Sequence, residues 1–274
     1  MPKSGRTSFN HAGISFHYLD AGSGLPFVFQ HGLGGDTLQT DGLYQPQPGI
    51  RFISMDCRGH GQTRPLGDPS RLNFNTFADD VLALGRELGL ARIVIGGVSM
   101  GAGIALNIAL RFPDRTLGLI LSRPAWLDRP MPENLLVLTR VHSYIQKYGP
   151  QQGLELFKQT EAFAAVRAAA PEAAESLAGQ FGEARAVDAL ERLYRLPNDV
   201  PNRSREEWAG IRVPTLVLAT RQDPVHPFDY AEALAHAIPG AVLKELTPKS
   251  VSAERYRRET QTHLGEFLRA HFSE

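Results

Sequence analysis

Short apolar runs rich in β-branched residues and bounded by Gly, Pro or Asp recur through the first half of the chain, at 14–19, 26–30, 51–55, 92–96 and 117–122. Their length and borders predict strands. Between the third and fourth runs, Phe77, Val81, Leu84 and Leu88 fall on one face at helical spacing, which predicts a helix over 76–88. Between the fourth and fifth, residues 100–112 are rich in Ala and Leu and are stopped by Pro113, a second helix. Alternating strands and helices with nearly continuous apolar strands predict a parallel sheet covered on both faces. The opening differs: Ser8-Phe9, a turn at 10–13 and the run 14–19 read as a hairpin, which places antiparallel strands at one edge.

From about 124 to 203 the texture becomes helical only, with Ala-rich stretches at 162–170 and 184–196 and several prolines between them. This predicts a helical cap (124–203) inserted into a core made of 1–123 and 204–274. The alternation then resumes with a strand at 214–220, a helix at 228–237, a strand at 241–246 and a final helix from about 252 to 272.

Composition narrows the function classes. With 29 basic and 29 acidic residues the 274-residue chain has no net field to recruit nucleic acid or an anionic membrane, so the expected partner is a small, neutral molecule. No run approaches the roughly 18 apolar residues of a spanning helix, and the polar start at Met1–Arg6 is not followed by an apolar run; a cytoplasmic location is expected. The single cysteine, Cys57, excludes an internal disulfide framework and a cysteine-based metal site. No cofactor or metal is expected, and oligomeric state leaves no signature.

The chemistry is concentrated at Gly97-Val98-Ser99-Met100-Gly101, which runs directly from a strand into a helix. A serine at so sharp a turn sits in a strained backbone, and the positions two before and two after must lack bulk; Gly97 and Gly101 meet that need. The turn projects the Ser99 hydroxyl above the sheet edge as a nucleophile. It also sets the backbone N–H of Met100 at a helix N-terminus, where it can stabilise an oxyanion. A helix-capping serine is the bland alternative. A dinucleotide-binding turn is excluded, because the glycine spacing is wrong and the next strand ends Ser122-Arg123-Pro124 without an acid.

With this turn the chain resembles the α/β-hydrolase superfamily over nearly its whole length. Gln30-His31-Gly32-Leu33-Gly34-Gly35-Asp36 is similar to the family's oxyanion loop, and the match implies that the Leu33 N–H is the second oxyanion donor. Asp56-Cys57-Arg58-Gly59-His60-Gly61 resembles the family's structural D-x-R-G-H-G turn. The resemblance implies an α/β fold with a mostly parallel eight-stranded sheet, helices on both faces and an inserted helical cap. His31 and His60 are expected to hold loops by hydrogen bonds rather than to transfer protons, and Cys57 to be a buried small residue. His31 and Gly32, with Trp126 and Leu127 after the fifth strand, are expected to border the substrate pocket.

Arg221-Gln222-Asp223-Pro224-Val225-His226-Pro227, following the strand 214–220, is similar to the family's acid-bearing turn and implies that Asp223 orients the base. The family places its histidine just after the last strand, but here that strand is followed by Thr247-Pro248-Lys249-Ser250. His263 lies well inside the final helix, too far along to reach Ser99. His226 is the remaining candidate base, since its loop overhangs the serine turn; Asp223 stands only three residues away, so Asp128 is kept as an alternative acid. His226 as a mere pocket wall stays equally open.

Trp126, Leu127, Met131, Tyr144, Tyr148, Phe157 and Phe163 are available to roof the pocket, although several must instead pack the cap together. The reading that follows is a serine hydrolase acting on a small, largely apolar ester, lactone or similar carbonyl substrate through an acyl-enzyme. The alternatives are a C–C bond hydrolase or lyase on the same scaffold, and a non-hydrolytic ligand-binding protein, the latter suggested by the missing histidine. Ser99 argues against epoxide hydrolases and haloalkane dehalogenases, which carry an aspartate at that turn.

Overall fold

A computed structural model describes residues 5–182 and 190–272. Its strands are β1 (Gly5–His11), β2 (Ile14–Gly22), β3 (Leu25–Gln30), β4 (Ile50–Met55), β5 (Ile93–Val98), β6 (Thr116–Ser122), β7 (Thr215–Thr220) and β8 (Val242–Leu246). They form one sheet in the order β1-β2-β4-β3-β5-β6-β7-β8. The hairpin β1-β2 pairs antiparallel and β2 pairs antiparallel with β4, while every later pairing is parallel. This is the α/β-hydrolase fold, with its antiparallel edge where the sequence placed the hairpin.

The central strands are buried on both sides because their side chains alternate between two cores. Phe27 and Phe29 of β3 enter one cluster with Tyr256, Leu264 and Leu268; Val28 points into the other with Phe77, Val81 and Leu84. The first cluster is covered by α1 (Thr37–Leu43) and α10 (Ala253–Phe272), the second by α2 (Phe74–Glu87), α3 (Met100–Arg111) and α9 (Phe228–Ala237). Helix α1 had no counterpart in the sequence reading: it is only seven residues long and is started by Asp36, whose side chain accepts from the Leu38 N–H. Helix α2 begins two residues before the expected Thr76, since Asn73 Oδ1 caps it by accepting from the Thr76 N–H at 2.8 Å.

Between β6 and β7 the chain leaves the sheet and forms α4 (Leu136–Tyr148), α5 (Pro150–Lys158), α6 (Glu161–Ala169), α7 (Pro171–Gly179) and α8, described over 190–195. The first six residues of the expected helix at 184–196 therefore lie outside the described residues. The excursion has its own aromatic core, in which Phe157 packs against Tyr144, Phe163 and Phe181 at ring-centroid distances of 5.4–5.8 Å. It is anchored to the sheet layer by Trp126, whose ring meets Phe74 edge-on and whose Nε1–H donates to the Leu196 carbonyl at 2.9 Å. No helix among the described residues is long and apolar enough to cross a membrane.

Candidate active site

The strand β5 runs two residues further than its sequence pattern suggested, through Gly97 and Val98, and delivers Ser99 straight into α3. Ser99 has φ 56° and ψ −110°, in the left-handed half of φ that a side chain rarely adopts. The turn closes only because its flanks are glycines. A Cβ on Gly97 would sit 2.4 Å from the Gly101 carbonyl carbon, and one on Gly101 would sit 2.2 Å from the Gln30 carbonyl oxygen. Strand β3 and helix α3 therefore approach one another backbone to backbone beneath the serine. The Ser99 N–H donates to the Ser122 carbonyl at 2.9 Å and its side chain makes no capping bond, which leaves the hydroxyl for other partners.

That partner is His226. Its Nε2 lies 2.9 Å from Ser99 Oγ, and its Nδ1 lies 3.0 Å from Asp223 Oδ2. A carboxylate only accepts, so Nδ1 carries the proton toward Asp223 and Nε2 is left to accept from the serine hydroxyl. The close spacing of Asp223 and His226 in sequence is accommodated by a tight loop. Asp223 Oδ1 accepts from the backbone N–H groups of Val225 and His226, each at 3.2 Å, so the chain folds back over the carboxylate and turns the imidazole onto it. The loop is braced from the helical excursion by Asn134, whose Nδ2 donates to the Val225 carbonyl at 2.7 Å.

Arg123, the first residue after β6, completes the constellation and was not singled out from the sequence. Its guanidinium donates from Nε (3.0 Å) and Nη2 to Asp223 Oδ2, and Nη2 also lies 3.0 Å from His226 Nδ1. With Nδ1 protonated, that last approach is a repulsive one between two donors. Burial, together with the Arg123 charge, lowers the His226 pKa against the opposing pull of Asp223. Burial works to raise Asp223, but His226 and Arg123 overcome it and hold its carboxyl well below the usual carboxylate range. The imidazole is thus neutral and the carboxylate charged at neutral pH.

The cavity in front of Ser99 has a volume of about 150 Å³, the size of an engineered core cavity that accepts benzene. Gly32, Leu33, Trp126, Leu135, Leu138 and Leu177 contribute to its walls, together with the polar residues Gln39, Glu172 and Lys249. Met100 opens α3, so its N–H has no carbonyl four residues back to bond within the helix. The Gly32 N–H is held by Gln39 Oε1 at 2.7 Å, which fixes the loop that carries the Leu33 amide.

Several expected residues stand elsewhere. His31 does not face the cavity. It is buried behind the loop, with Nδ1 2.8 Å from the Gly32 carbonyl and Nε2 accepting from the Cys57 N–H at 3.0 Å; burial lowers its pKa and keeps it neutral. His60 Nδ1 is bonded to the Arg58 carbonyl at 2.8 Å. Cys57 is buried, and burial pushes its thiol well above the ordinary range. Leu127 is buried, but unlike its neighbour Trp126 it does not line the cavity. Asp128 pairs with Arg205 at 2.8 Å rather than with His226. Met131 is exposed, while Tyr144, Tyr148, Phe157 and Phe163 pack among themselves. His263 pairs with Glu266 on α10 at 3.2 Å.

Residues 26–250 match the family model described as an alpha/beta hydrolase fold. The AB hydrolase superfamily protein YisY of Bacillus subtilis (strain 168) is 30% identical over 247 residues, 82% of this chain and 84% of that one. Among solved structures, a malate-bound thermophilic esterase from Thermogutta terrifontis superposes with a TM-score of 0.68 at 26% identity, over 96% of this chain and 97% of the other. The enol-lactonase from Burkholderia xenovorans LB400 gives a TM-score of 0.69 at 23% identity, over 96% and 99% respectively.

Proposed function

This chain belongs to the α/β-hydrolase family, and on that premise we propose that it is a serine hydrolase that cleaves small, largely apolar esters or lactones through an acyl-enzyme. The observation that carries the proposal is the relay Ser99 Oγ, His226 Nε2 and Nδ1, Asp223 Oδ2, with links of 2.9 and 3.0 Å. Ser99 Oγ attacks the carbonyl carbon as Nε2 takes its proton, and Asp223 steadies the imidazolium that forms. The carbonyl oxygen becomes an oxyanion, held by the N–H groups of Leu33 and Met100; each such donor is worth about 3–4 kcal/mol in the transition state. Collapse of the tetrahedral intermediate breaks the bond to the leaving alkoxide, which receives the proton from Nε2. Water then repeats the sequence on the acyl-serine, with Nε2 as base, releasing the acid and restoring the hydroxyl.

The helices between β6 and β7 act as a cap in this reading. Trp126, Leu135, Leu138 and Leu177 exclude water from one side of the cavity, and its small volume favours short acyl groups. The Thermogutta esterase and the Burkholderia enol-lactonase fit the same reaction class. The ligand-binding alternative drew on the absence of a histidine just after β8, and an imidazole arriving from the loop after β7 weakens that ground.

The test is hydrolysis of p-nitrophenyl butyrate, combined with labelling by an organophosphate and mass spectrometry of the labelled peptide. Turnover by the native protein, lost in Ser99→Ala and in His226→Ala, with the phosphoryl group on Ser99, supports the proposal. Inertness toward a panel of esters and lactones, with no label on Ser99, refutes it.

A further inference from the structure

The cavity that holds Ser99 is not uniformly apolar. Two charged side chains on its walls have no part in the relay: Lys249, in the loop after β8, and Glu172, in the first turn of α7. Lys249 lays its ammonium over the Tyr256 ring, 4.7 Å from the centroid. That contact uses the charge but leaves N–H donors unspent, and no carboxylate is paired with it among the described residues. Glu172 Oε2 is shut off from solvent and has no hydrogen-bond partner among the described residues. The two residues feel each other's charge, yet no salt bridge joins them among the described residues.

An enclosed carboxylate oxygen without a donor is costly, and native structures seldom keep one without a reason. Sequence position gives no structural reason for Lys249 either: it lies in the loop where a base would be expected, with Ser99 already served by His226. The Arg123 charge is matched by Asp223, so Lys249 and Glu172 balance one another and the wall is neutral overall. A substrate group with a net charge would attract one and repel the other. A neutral group that both accepts and donates satisfies both.

We infer that Lys249 and Glu172 form a polar subsite beside Ser99 for a neutral hydrogen-bonding group of the substrate, a hydroxyl or a secondary amide. Its oxygen accepts from Lys249, and its O–H or N–H donates to Glu172. Burial and the nearby Arg123 push Lys249 down to about 8, which leaves the ammonium in the majority at pH 7. The substrate is thereby narrowed from an apolar ester to one with a single polar substituent, and the inference rests on Ser99 being the acyl nucleophile.

The experiment compares kcat/KM for p-nitrophenyl esters of butyrate, 3-hydroxybutyrate and N-acetylglycine, with β-alanine and hemisuccinate esters as the cationic and anionic counterparts. In the native protein the hydroxyl or the amide ester should exceed butyrate at least tenfold, and which one does identifies the group. In Lys249→Met and Glu172→Gln that ratio should fall to near one. A native ratio near one, a preference for either charged ester, or a ratio unmoved in both variants overturns the inference. Calorimetric binding of 3-hydroxybutyramide against butyramide reads the same preference without turnover. A protein inert toward all esters that still binds the hydroxyamide tenfold more tightly, with the difference lost in Lys249→Met, keeps the subsite while the hydrolase reading fails. Equal binding of the two amides overturns the subsite even where esters are cleaved.

Discussion

Replacing Gly101 by alanine tests the turn that presents Ser99. The added Cβ would lie 2.2 Å from the Gln30 carbonyl oxygen, 2.6 Å from its carbon and 2.9 Å from the His31 carbonyl oxygen. All three are backbone atoms of β3 and the loop that follows, so no flexible side chain can swing aside. Ordinary contact is restored only if the start of α3 and the end of β3 part by about 1 Å. These two segments carry Met100 and, three residues past Gln30, Leu33. A misplacement of about 1 Å at a reacting centre costs on the order of 100-fold in rate. The overpacking itself costs about 1–3 kcal/mol, or roughly 2–12 °C in Tm for a chain of this size. Gly101→Ala is therefore expected to remain folded while kcat/KM for p-nitrophenyl butyrate falls about 100-fold. The matched control is Gly42→Ala in α1, where a Cβ meets nothing within 4 Å. It should keep its activity and gain up to about 1 kcal/mol from reduced freedom of the unfolded chain. Rates normalised by organophosphate titration, alongside thermal melts, decide the matter; a Gly101→Ala protein within threefold of native activity refutes the argument from close backbone approach.

Ser99→Ala and His226→Ala should each lower kcat by about 10⁴–10⁶-fold with Tm nearly unchanged, and Asp223→Asn by about 10⁴-fold through the wrong imidazole tautomer, all read by ester hydrolysis. Burial and Arg123 lower the His226 pKa, and the neutral imidazole is the active form. The acid limb of the kcat/KM profile should accordingly fall below the unperturbed histidine value of about 6.5. Arg123→Gln removes the cation, raises the His226 pKa and moves that limb to higher pH; an unmoved limb excludes Arg123 as the tuning group. The Arg58–Asp80 pair is bidentate and buried on both sides. Asp80→Asn should cost about 3–5 kcal/mol, roughly 6–20 °C in Tm, measured by calorimetry.

The sequence carried the sheet, its hairpin edge and the serine turn because each depends on local pattern. Strand periodicity, glycines where no Cβ fits and a serine between strand and helix are all written in consecutive residues. The identity of the base was legible only as one of two roles for His226. What the sequence did not carry is the fold of the loop, in which two backbone N–H groups bonded to Asp223 Oδ1 turn the ring onto the same carboxylate. Arg123 was visible at the end of its strand, but its use depends on β6 and β7 being neighbours in the sheet. Leu135, Leu138, Leu177 and Glu172 had no signal, since an amphipathic helix in an all-helical layer does not declare which neighbour its buried face meets. Leu127 and His31 were misplaced for a related reason: adjacency in sequence to a wall residue does not fix the direction of a side chain.

Asp223 and His226 stand within four consecutive residues and are tied to each other by short-range bonds inside that loop. On the proposed mechanism they form one hinged part: when the loop shifts, the imidazole and its carboxylate travel together, and what changes is their distance to Ser99 and to Arg123. The far edge of the sheet is thereby released from proton transfer, and its last loop is free to be reshaped around different molecules without dismantling the reaction centre.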